Sequence, residues 1–295
     1  MSLKIALIGC GAMGGAIGAR LCETGQDLQV FDLDDAAMQA LVEKGATAHG
    51  SAREAAGAAD YVVTSLNSAK IVEAAVFGED GVADGAADGT LIVDMSSIDP
   101  ASTSKLAEMA RERGLRWVDS PLSGGAPKVA TGELTLMCGG SEADVDEART
   151  VLDHVATNIT RMGDNGAGQT TKLINQVLCG LNFVAVAEAT QLALDAGVDA
   201  EKIPVALKGG RADSAILQEY MPRYATKDYR RTGRIDNMVK DLKGAQDLAH
   251  ATATSMPLTS LCLEIHRMMT AAGLGGEDQA TLMEFFKGAG KSEIG

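Results

Sequence analysis

Aromatic side chains are scarce in this sequence: one Trp, four Tyr and five Phe in 295 residues. The core must therefore be built from Ala, Val, Leu, Ile and Met. Cysteine is also sparse and unpatterned. Cys10, Cys22, Cys138, Cys179 and Cys262 form no C-x-x-C pair and no metal-ligand spacing, and an odd count without a framework fits reduced thiols. No metal is expected. Positive charge is in deficit, with 26 Lys and Arg against 40 Asp and Glu, a net charge of −14 and a pI of about 4.7. That balance argues against a nucleic-acid or anionic-membrane partner. No apolar run is expected to reach membrane-spanning length. The first apolar run begins at Leu3 and a glycine motif at Gly9, which leaves no room for a signal peptide. A cytoplasmic protein is the expectation.

The remaining composition, 46% hydrophobic and 22% charged, is that of a soluble globular protein long enough for two domains. The charge is unevenly spread. Residues 1–164 carry 12 basic and 25 acidic side chains, whereas residues 165–295 carry 14 and 15. Within 202–243 the count is ten basic and five acidic, an island that reads as a solvated helix surface or as the landing place of an anionic substrate.

Short apolar runs alternate with helical spacing through the first half. Strands are expected at Leu3–Ile8, Leu28–Phe31, Tyr61–Leu66, Thr90–Asp94 and Leu115–Asp119. The helices between them are expected at Ala12–Thr24, Asp35–Lys44, Ser68–Phe77 and from Pro100 to about Arg113. Two further strands, near Glu133–Gly139 and Asn158–Met162, flank a helix capped by Ser141 with Asp144 three residues on. Such alternation means a parallel sheet covered on both faces. From Thr170 to about Ala196 a single long helix is expected, and only helices follow, near Ala200–Lys208, Ser214–Ala225, Ile235–Thr254, Leu258–Ala272 and Asp278–Lys287. The fold class is thus α/β: a doubly wound sheet of Rossmann type over 1–164, then an all-α domain over 165–295, joined by a long interdomain helix.

Three glycine-rich segments carry the chemistry. Gly9-Cys10-Gly11-Ala12-Met13-Gly14 has the G-x-G-x-x-G spacing between a strand and a helix. Its glycines allow the tight turn, the approach of the backbone to a pyrophosphate, and close helix–strand packing. Asp32 ends the second strand about twenty residues on, where it would accept hydrogen bonds from a ribose and repel a 2′-phosphate. No arginine follows in Leu33-Asp34-Asp35, so NAD is preferred to NADP. Cys10, inside the loop, is read as a small filler rather than an oxidisable thiol. Asp119-Ser120-Pro121-Leu122-Ser123-Gly124-Gly125-Ala126-Pro127-Lys128 follows another strand end. Ser123 and the bare backbone of Gly124 and Gly125 fit either a carboxylate-binding concavity or an ordinary turn. After Gly163-Asp164-Asn165-Gly166-Ala167-Gly168, Lys172 and Asn175 stand three apart on one helix face. An amine so placed can move a proton if partial burial lowers its pKa, and the amide can orient the amine or the oxygen it serves.

In this order and spacing the chain resembles the β-hydroxyacid dehydrogenase family, relatives of 6-phosphogluconate dehydrogenase, over nearly its whole length. The residues concerned are Gly9–Gly14, Asp94-Met95-Ser96-Ser97-Ile98, Asp119–Gly125 with Gly132, Gly163–Asn175, and Lys240-Asp241-Leu242. Lys172-Leu173-Ile174-Asn175-Gln176 and Ser123–Lys128 look most like tartronate semialdehyde reductases. The resemblance implies that Lys172 is the catalytic acid/base and that Ser123, Gly124 and Gly125 hold the substrate carboxylate. Asn175 would lie beside the reacting oxygen, and Ser97 and Lys240 near the nicotinamide. It also implies a homo-oligomer, dimer or tetramer. Lys240 and burial would together lower the pKa of Lys172. Leu66 and Asn67 stand where the family's Leu-Pro loop passes the cofactor, so Asn67 is a departure.

A second departure is Gly233-Arg234-Ile235-Asp236, where many members have Phe in place of Arg234. Arg234, or Arg211 in Gly209–Ser214, could bind a second carboxylate or a phosphate. The plainer reading is a salt bridge with Asp213 or Asp236. The expected function is therefore an NAD-dependent oxidoreductase for a small 3-hydroxyacid and its semialdehyde or keto acid, of the tartronate semialdehyde reductase or 3-hydroxyisobutyrate dehydrogenase kind. A longer dicarboxylate or phosphorylated hydroxyacid is the alternative. Imine reduction and a non-catalytic dinucleotide sensor or scaffold are the rivals; relatives doing the first chemistry usually lack lysine at the position of Lys172, and the second would have lost Lys172, Asn175 or the Ser-Gly-Gly turn, all present here. None of His49, His154, His250 and His266 falls in a motif, which disfavours a histidine-based dehydrogenase.

Overall fold

The structure, a computed structural model, describes residues 2–286. Apart from the exposed two-residue edge Thr47–Ala48 and the largely exposed Ala156–Gly163, the strands form where apolar runs are buried on both faces. They are β1 (Lys4–Ile8), β2 (Asp27–Phe31), β3 (Thr47–Ala48), β4 (Tyr61–Thr64), β5 (Leu91–Asp94) and β6 (Arg116–Asp119), followed by β7 (Leu122–Ser123), β8 (Leu134–Gly139) and β9 (Ala156–Gly163). The sheet order is β3-β2-β1-β4-β5-β6-β8-β7, with β9 pairing to β8. The helices between them are α1 (Ala12–Glu23), α2 (Asp35–Val42), α3 (Ala52–Gly57), α4 (Ala69–Phe77), α5 (Val82–Gly85), α6 (Pro100–Glu112), α7 (Gly125–Ala130) and α8 (Glu142–Leu152). Because side chains alternate across a strand, Ile5 and Leu7 enter one core with Ile17 and Leu21 of α1. Ala6 and Ile8 enter the other with Val72, Val76 and Leu106.

β1 through β6 run parallel, as the alternation predicts, but β8 runs antiparallel to β6 and β7. The sequence expectation of a wholly parallel sheet is corrected here. The chain turns back through β7 and the six-residue α7 instead of crossing over a full helix, and such a return reverses the strand. The short elements β3, α3, α5, β7 and α7 carry too few residues to show a period, and the sequence reading passed over them.

Beyond the sheet come α9 (Ala167–Asp195), α10 (Ile203–Leu207), α11 (Ala215–Thr226), α12 (Ile235–Ala251), α13 (Pro257–Met269) and α14 (Met283–Phe286). The expected helix at Asp278–Lys287 is a 3-10 turn at Gln279–Leu282 followed by α14, and its last residue, Lys287, lies outside the described residues. The chain divides into two compact units inside α9, the first ending at Lys172 and the second starting at Leu173. The second unit has its own core, with Val186, Leu217, Tyr220, Tyr224, Ile235 and Ile265 among its members. At 29 residues α9 is, by length and composition, long and apolar enough to cross a membrane, so the expectation that no run approaches that length is corrected. The scattered Thr, Gln, Asn and Gly of its first half hide the run from the eye.

Candidate functional site

The carboxyl ends of β1, β2, β4, β5 and β6 meet along one edge of the sheet. Gly9 takes φ +97° to turn out of β1, and a Cβ there would lie 2.5 Å from the Ser65 carbonyl oxygen. A Cβ on Gly14 would lie 1.9 Å from the Gly9 oxygen, so only glycine lets α1 pack this closely. Gly11 is the opposite case: no heavy atom lies within 4 Å of where its Cβ would be. The N-terminus of the twelve-residue α1 has no side-chain cap. An uncapped helix start behind an open glycine backbone fits the pyrophosphate of a dinucleotide.

Asp32 braces this loop. Its Oδ2 accepts the Cys10 N–H at 2.6 Å and its Oδ1 the Asp34 N–H at 2.9 Å. Burial first, then the negative charge of Asp32, pushes the Cys10 thiol up to about 12. Cys10 is a buried filler and not a reactive thiol. Ala12 is exposed and Met13 partly buried at the start of α1, packed beside the same loop. Leu66 packs against Gly9, and its N–H donates to Ser96 Oγ at 2.9 Å; Asn67 is exposed.

At the end of β5 the buried Asp94 Oδ1 accepts Thr64 Oγ1–H at 2.7 Å and the Ser96 N–H at 3.0 Å, which fixes the turn leading to the partly exposed Ser97. Asp119, its neighbour across β6, is fully buried. Its two oxygens accept the N–H groups of Gly166 at 2.8 Å and Gln169 at 3.1 Å, at the start of α9. Burial dominates these bonds and pushes the carboxyl up to about 6. Gln169, 1% exposed, donates Nε2–H to the Ser96 carbonyl at 2.8 Å and accepts the Ile98 N–H at 3.3 Å. Lys172 follows one turn later, partly buried, within the same compact unit. Ser123 ends β7 partly buried, and Gly124 and Gly125 leave it at φ +123° and +68°.

In the helical unit Asn175 Nδ2–H donates to Gln176 Oε1 at 3.0 Å, and Gln176 Nε2–H to Asp241 Oδ2 at 2.6 Å. Lys240 lies 3.5 Å from the same carboxylate. Arg234 pairs with Asp236 through two bonds, which is the plainer of the two sequence readings. Arg211 is exposed and has no hydrogen bond or ion pair among the described residues; Asp213 instead accepts from Gly209 N–H and Gln218 Nε2–H. Much of the basic island is paired in this way, with Arg223 on Asp278, Arg230 on Asp228 and Lys243 on Asp247. The solvated-surface reading accounts for the exposed pairs of Arg230, Arg234 and Lys243, whereas Arg223 and Asp278 are buried. His266 is a satisfied core histidine between the Cys262 carbonyl at 2.8 Å and Gln279 at 3.0 Å, and burial lowers its pKa.

Three groups escaped the sequence reading. Gln169 and Asp278 are buried polar residues, and Arg223 sits in a helix whose charge looked like surface. For Gln169 a signal existed: a polar residue directly after Gly168, one turn before Lys172.

The sequence model of the NAD binding domain of 6-phosphogluconate dehydrogenase matches residues 4–163. That of the NAD-binding domain of NADP-dependent 3-hydroxyisobutyrate dehydrogenase matches residues 166–286. The 2-(hydroxymethyl)glutarate dehydrogenase of Eubacterium barkeri is 34% identical over 97% of this chain and 95% of its own. The 2-hydroxy-3-oxopropionate reductase of Escherichia coli is 34% identical over 96% of each. Among solved structures, Mycobacterium tuberculosis 3-hydroxyisobutyrate dehydrogenase with L-serine superposes with a TM-score of 0.88 at 28% identity, covering 98% of this chain and 100% of that one.

Proposed function

We propose that this chain, which belongs to the β-hydroxyacid dehydrogenase family, interconverts a small 3-hydroxyacid and its semialdehyde or keto acid, with NAD as redox partner and Lys172 as general acid/base. The observation that supports it most is the tethering of α9. Its first turns, through Lys172, belong to the sheet unit and are hydrogen-bonded to the strand ends beside the open Gly11 loop. An amine is thereby kept at the edge of an open sheet where ligands bind.

In oxidation Lys172 Nζ accepts the substrate hydroxyl proton as the C–O bond becomes a carbonyl, and in reduction it returns that proton. Bound nicotinamide supplies the acceptor for the hydrogen and electron pair leaving the substrate carbon. Ser123, Gly124 and Gly125 hold the substrate carboxylate, and Asn175 orients the reacting oxygen. Fixing the carboxylate decides which carbon reacts and lowers the entropic part of the barrier. Ser97 and Lys240 contact the cofactor, along with Leu66 and Asn67. Asp32 favours NAD, because its carboxylate already faces the loop and would repel a 2′-phosphate. Leu178, Leu192, Leu258 and Leu261 are each more than half exposed, which supports a homo-oligomer joined through the helical unit.

The relatives act on different acids by name, so the substrate is sought among them. The test is NADH formation at alkaline pH on 3-hydroxyisobutyrate, glycerate, serine, threonate, 4-hydroxybutyrate and 2-(hydroxymethyl)glutarate, each with NAD and with NADP. Turnover of one acid, faster with NAD, is expected. Bound NAD with no turnover of any would point to a substrate outside this panel first and to a dinucleotide sensor second. Arg211, unpaired among the described residues, is what favours a diacid as the second reading; preference for 2-(hydroxymethyl)glutarate that vanishes in Arg211→Ala would establish it.

A further inference from the structure

We propose that Gln169 and Asp119 are positioning residues for the reaction, together fixing the start of α9 so that Lys172 and the Ser96–Ile98 turn keep one alignment. The inference rests on the reading of Lys172 as the proton carrier.

A helix leaves its first N–H groups without intrahelical partners, and a side chain just before the helix usually caps them. Here the cap comes from another strand. Asp119, at the end of β6, receives the Gly166 and Gln169 N–H groups while wholly shielded from water. The space around it admits nothing else. A Cβ on Gly139 would lie 2.5 Å from Asp119 Oδ1, and one on Gly168 2.6 Å from Oδ2. Asn165, just ahead of the helix, donates Nδ2–H to the Trp117 carbonyl at 2.8 Å, a second tie to β6.

Gln169 adds the sideways tie. Its amide uses both ends on one turn, donating to the Ser96 carbonyl and accepting from the Ile98 N–H, and Ser97 stands between these two contacts. Ser96 is itself held by Asp94 and holds the Leu66 N–H. Gln169 and Lys172 are three residues apart, neighbours on one helix face. Rotation or sliding of α9 that moved the amine would therefore break the bonds to residues 96–98. An apolar core residue could fill this volume, but it could not link the two segments. That a buried amide fills it, with both polar ends satisfied, points to alignment as its role.

The experiment uses the full-length protein with Gln169→Leu, Gln169→Glu and Lys172→Ala, and reads kcat against pH together with amide hydrogen exchange of the 165–172 segment without cofactor. Gln169→Leu is expected to lower kcat at least tenfold with a smaller change in KM, and to speed exchange in that segment while the other strands keep native protection. Gln169→Glu keeps the size but can donate to the Ser96 carbonyl only when protonated. Its kcat, relative to native, should rise as pH falls. A Gln169→Glu profile parallel to the native one, or Gln169→Leu with native kcat, overturns the proposal. If Lys172→Ala keeps near-native kcat, the underlying reading of Lys172 fails instead; if it is inactive while both Gln169 variants behave as native, positioning alone is wrong.

Discussion

Asp119 in the sheet unit and Asp278 in the helical unit are both fully buried carboxylates that hold the entry to a helix by backbone N–H groups. Asp119 receives Gly166 and Gln169 ahead of Lys172. Asp278 receives Thr232 at 2.5 Å and Gly233 at 2.9 Å, ahead of Arg234 and α12. They differ in what balances the charge. Asp278 has the Arg223 guanidinium 3.0 Å away, itself almost buried. Among the described residues no cation is bonded to Asp119, which relies on the N–H groups of a helix start. Burial raises the first acid, which should respond to pH; the second is tested by the loss of its partner. The helices they hold also differ: α9 presents one amine, and α12 follows Arg230 and Arg234, each tied to a nearby carboxylate.

If α9 holds the chemistry and the α12 entry only selectivity, the largest effect belongs to Lys172. Lys172→Ala is expected to lower kcat by about 10²–10⁴ with little change in NAD affinity. Arg234→Ala should change kcat/KM on a 3-hydroxymonocarboxylate by less than about threefold, because its guanidinium is already engaged by Asp236. Steady-state kinetics on both variants decides; similar losses in the two would dissolve the division of labour.

The next effect is on folding. Arg223→Ala leaves Asp278 buried with its cation gone, and such a break costs about 3–5 kcal/mol. Urea unfolding should show it, and a loss under 1 kcal/mol would mean that the N–H groups alone suffice for Asp278. A smaller loss, about 1–3 kcal/mol, is expected for Gly14→Ala, whose new methyl meets the Gly9 backbone. Gly11→Ala meets no protein atom. It should leave the urea midpoint in place while raising the KM for NAD, and equal destabilisation by both would remove the argument that Gly11 faces a ligand.

How much of this was legible in the sequence follows the same divide. The glycine loop, Asp32 and the strands before residue 120 have local signals, because a parallel strand is a short apolar run and a tight turn needs glycine. The return through β7 and α7 has none, since a reversal made by short elements leaves no period. Lys172 and Asn175 were visible as a spacing. The groups that hold their helix were not, for Asp119 lies 50 positions from Gln169 and Asp278 lies 46 from Thr232. Burial of a polar side chain is decided by what folds over it, and composition nearby does not report that. Arg234 and the island around it gave a signal of the wrong kind: ten basic residues suggest a field, but the carboxylates that quench it are partly outside the segment, at Asp247 and Asp278.

The last effect is the pH dependence of Asp119. Burial raises the Asp119 carboxyl from 3.8 to about 6. Between those values the folded protein keeps a proton that the unfolded chain has released. The contribution of Asp119 to stability is therefore greatest below about pH 4 and declines as pH rises towards 6, by on the order of 2 kcal/mol. Asp228, at the Arg230 side chain, behaves oppositely, its carboxyl lowered to about 2. Its contribution is present above about pH 4 and lost as pH falls towards 2, so the two windows do not overlap. Urea unfolding of the native protein and of Asp119→Asn, at half-unit steps from pH 4 to 7, isolates the first. The native protein should lose stability relative to the variant across that range, and a difference that stays constant with pH would mean that the helix start neutralises Asp119 as completely as a guanidinium does.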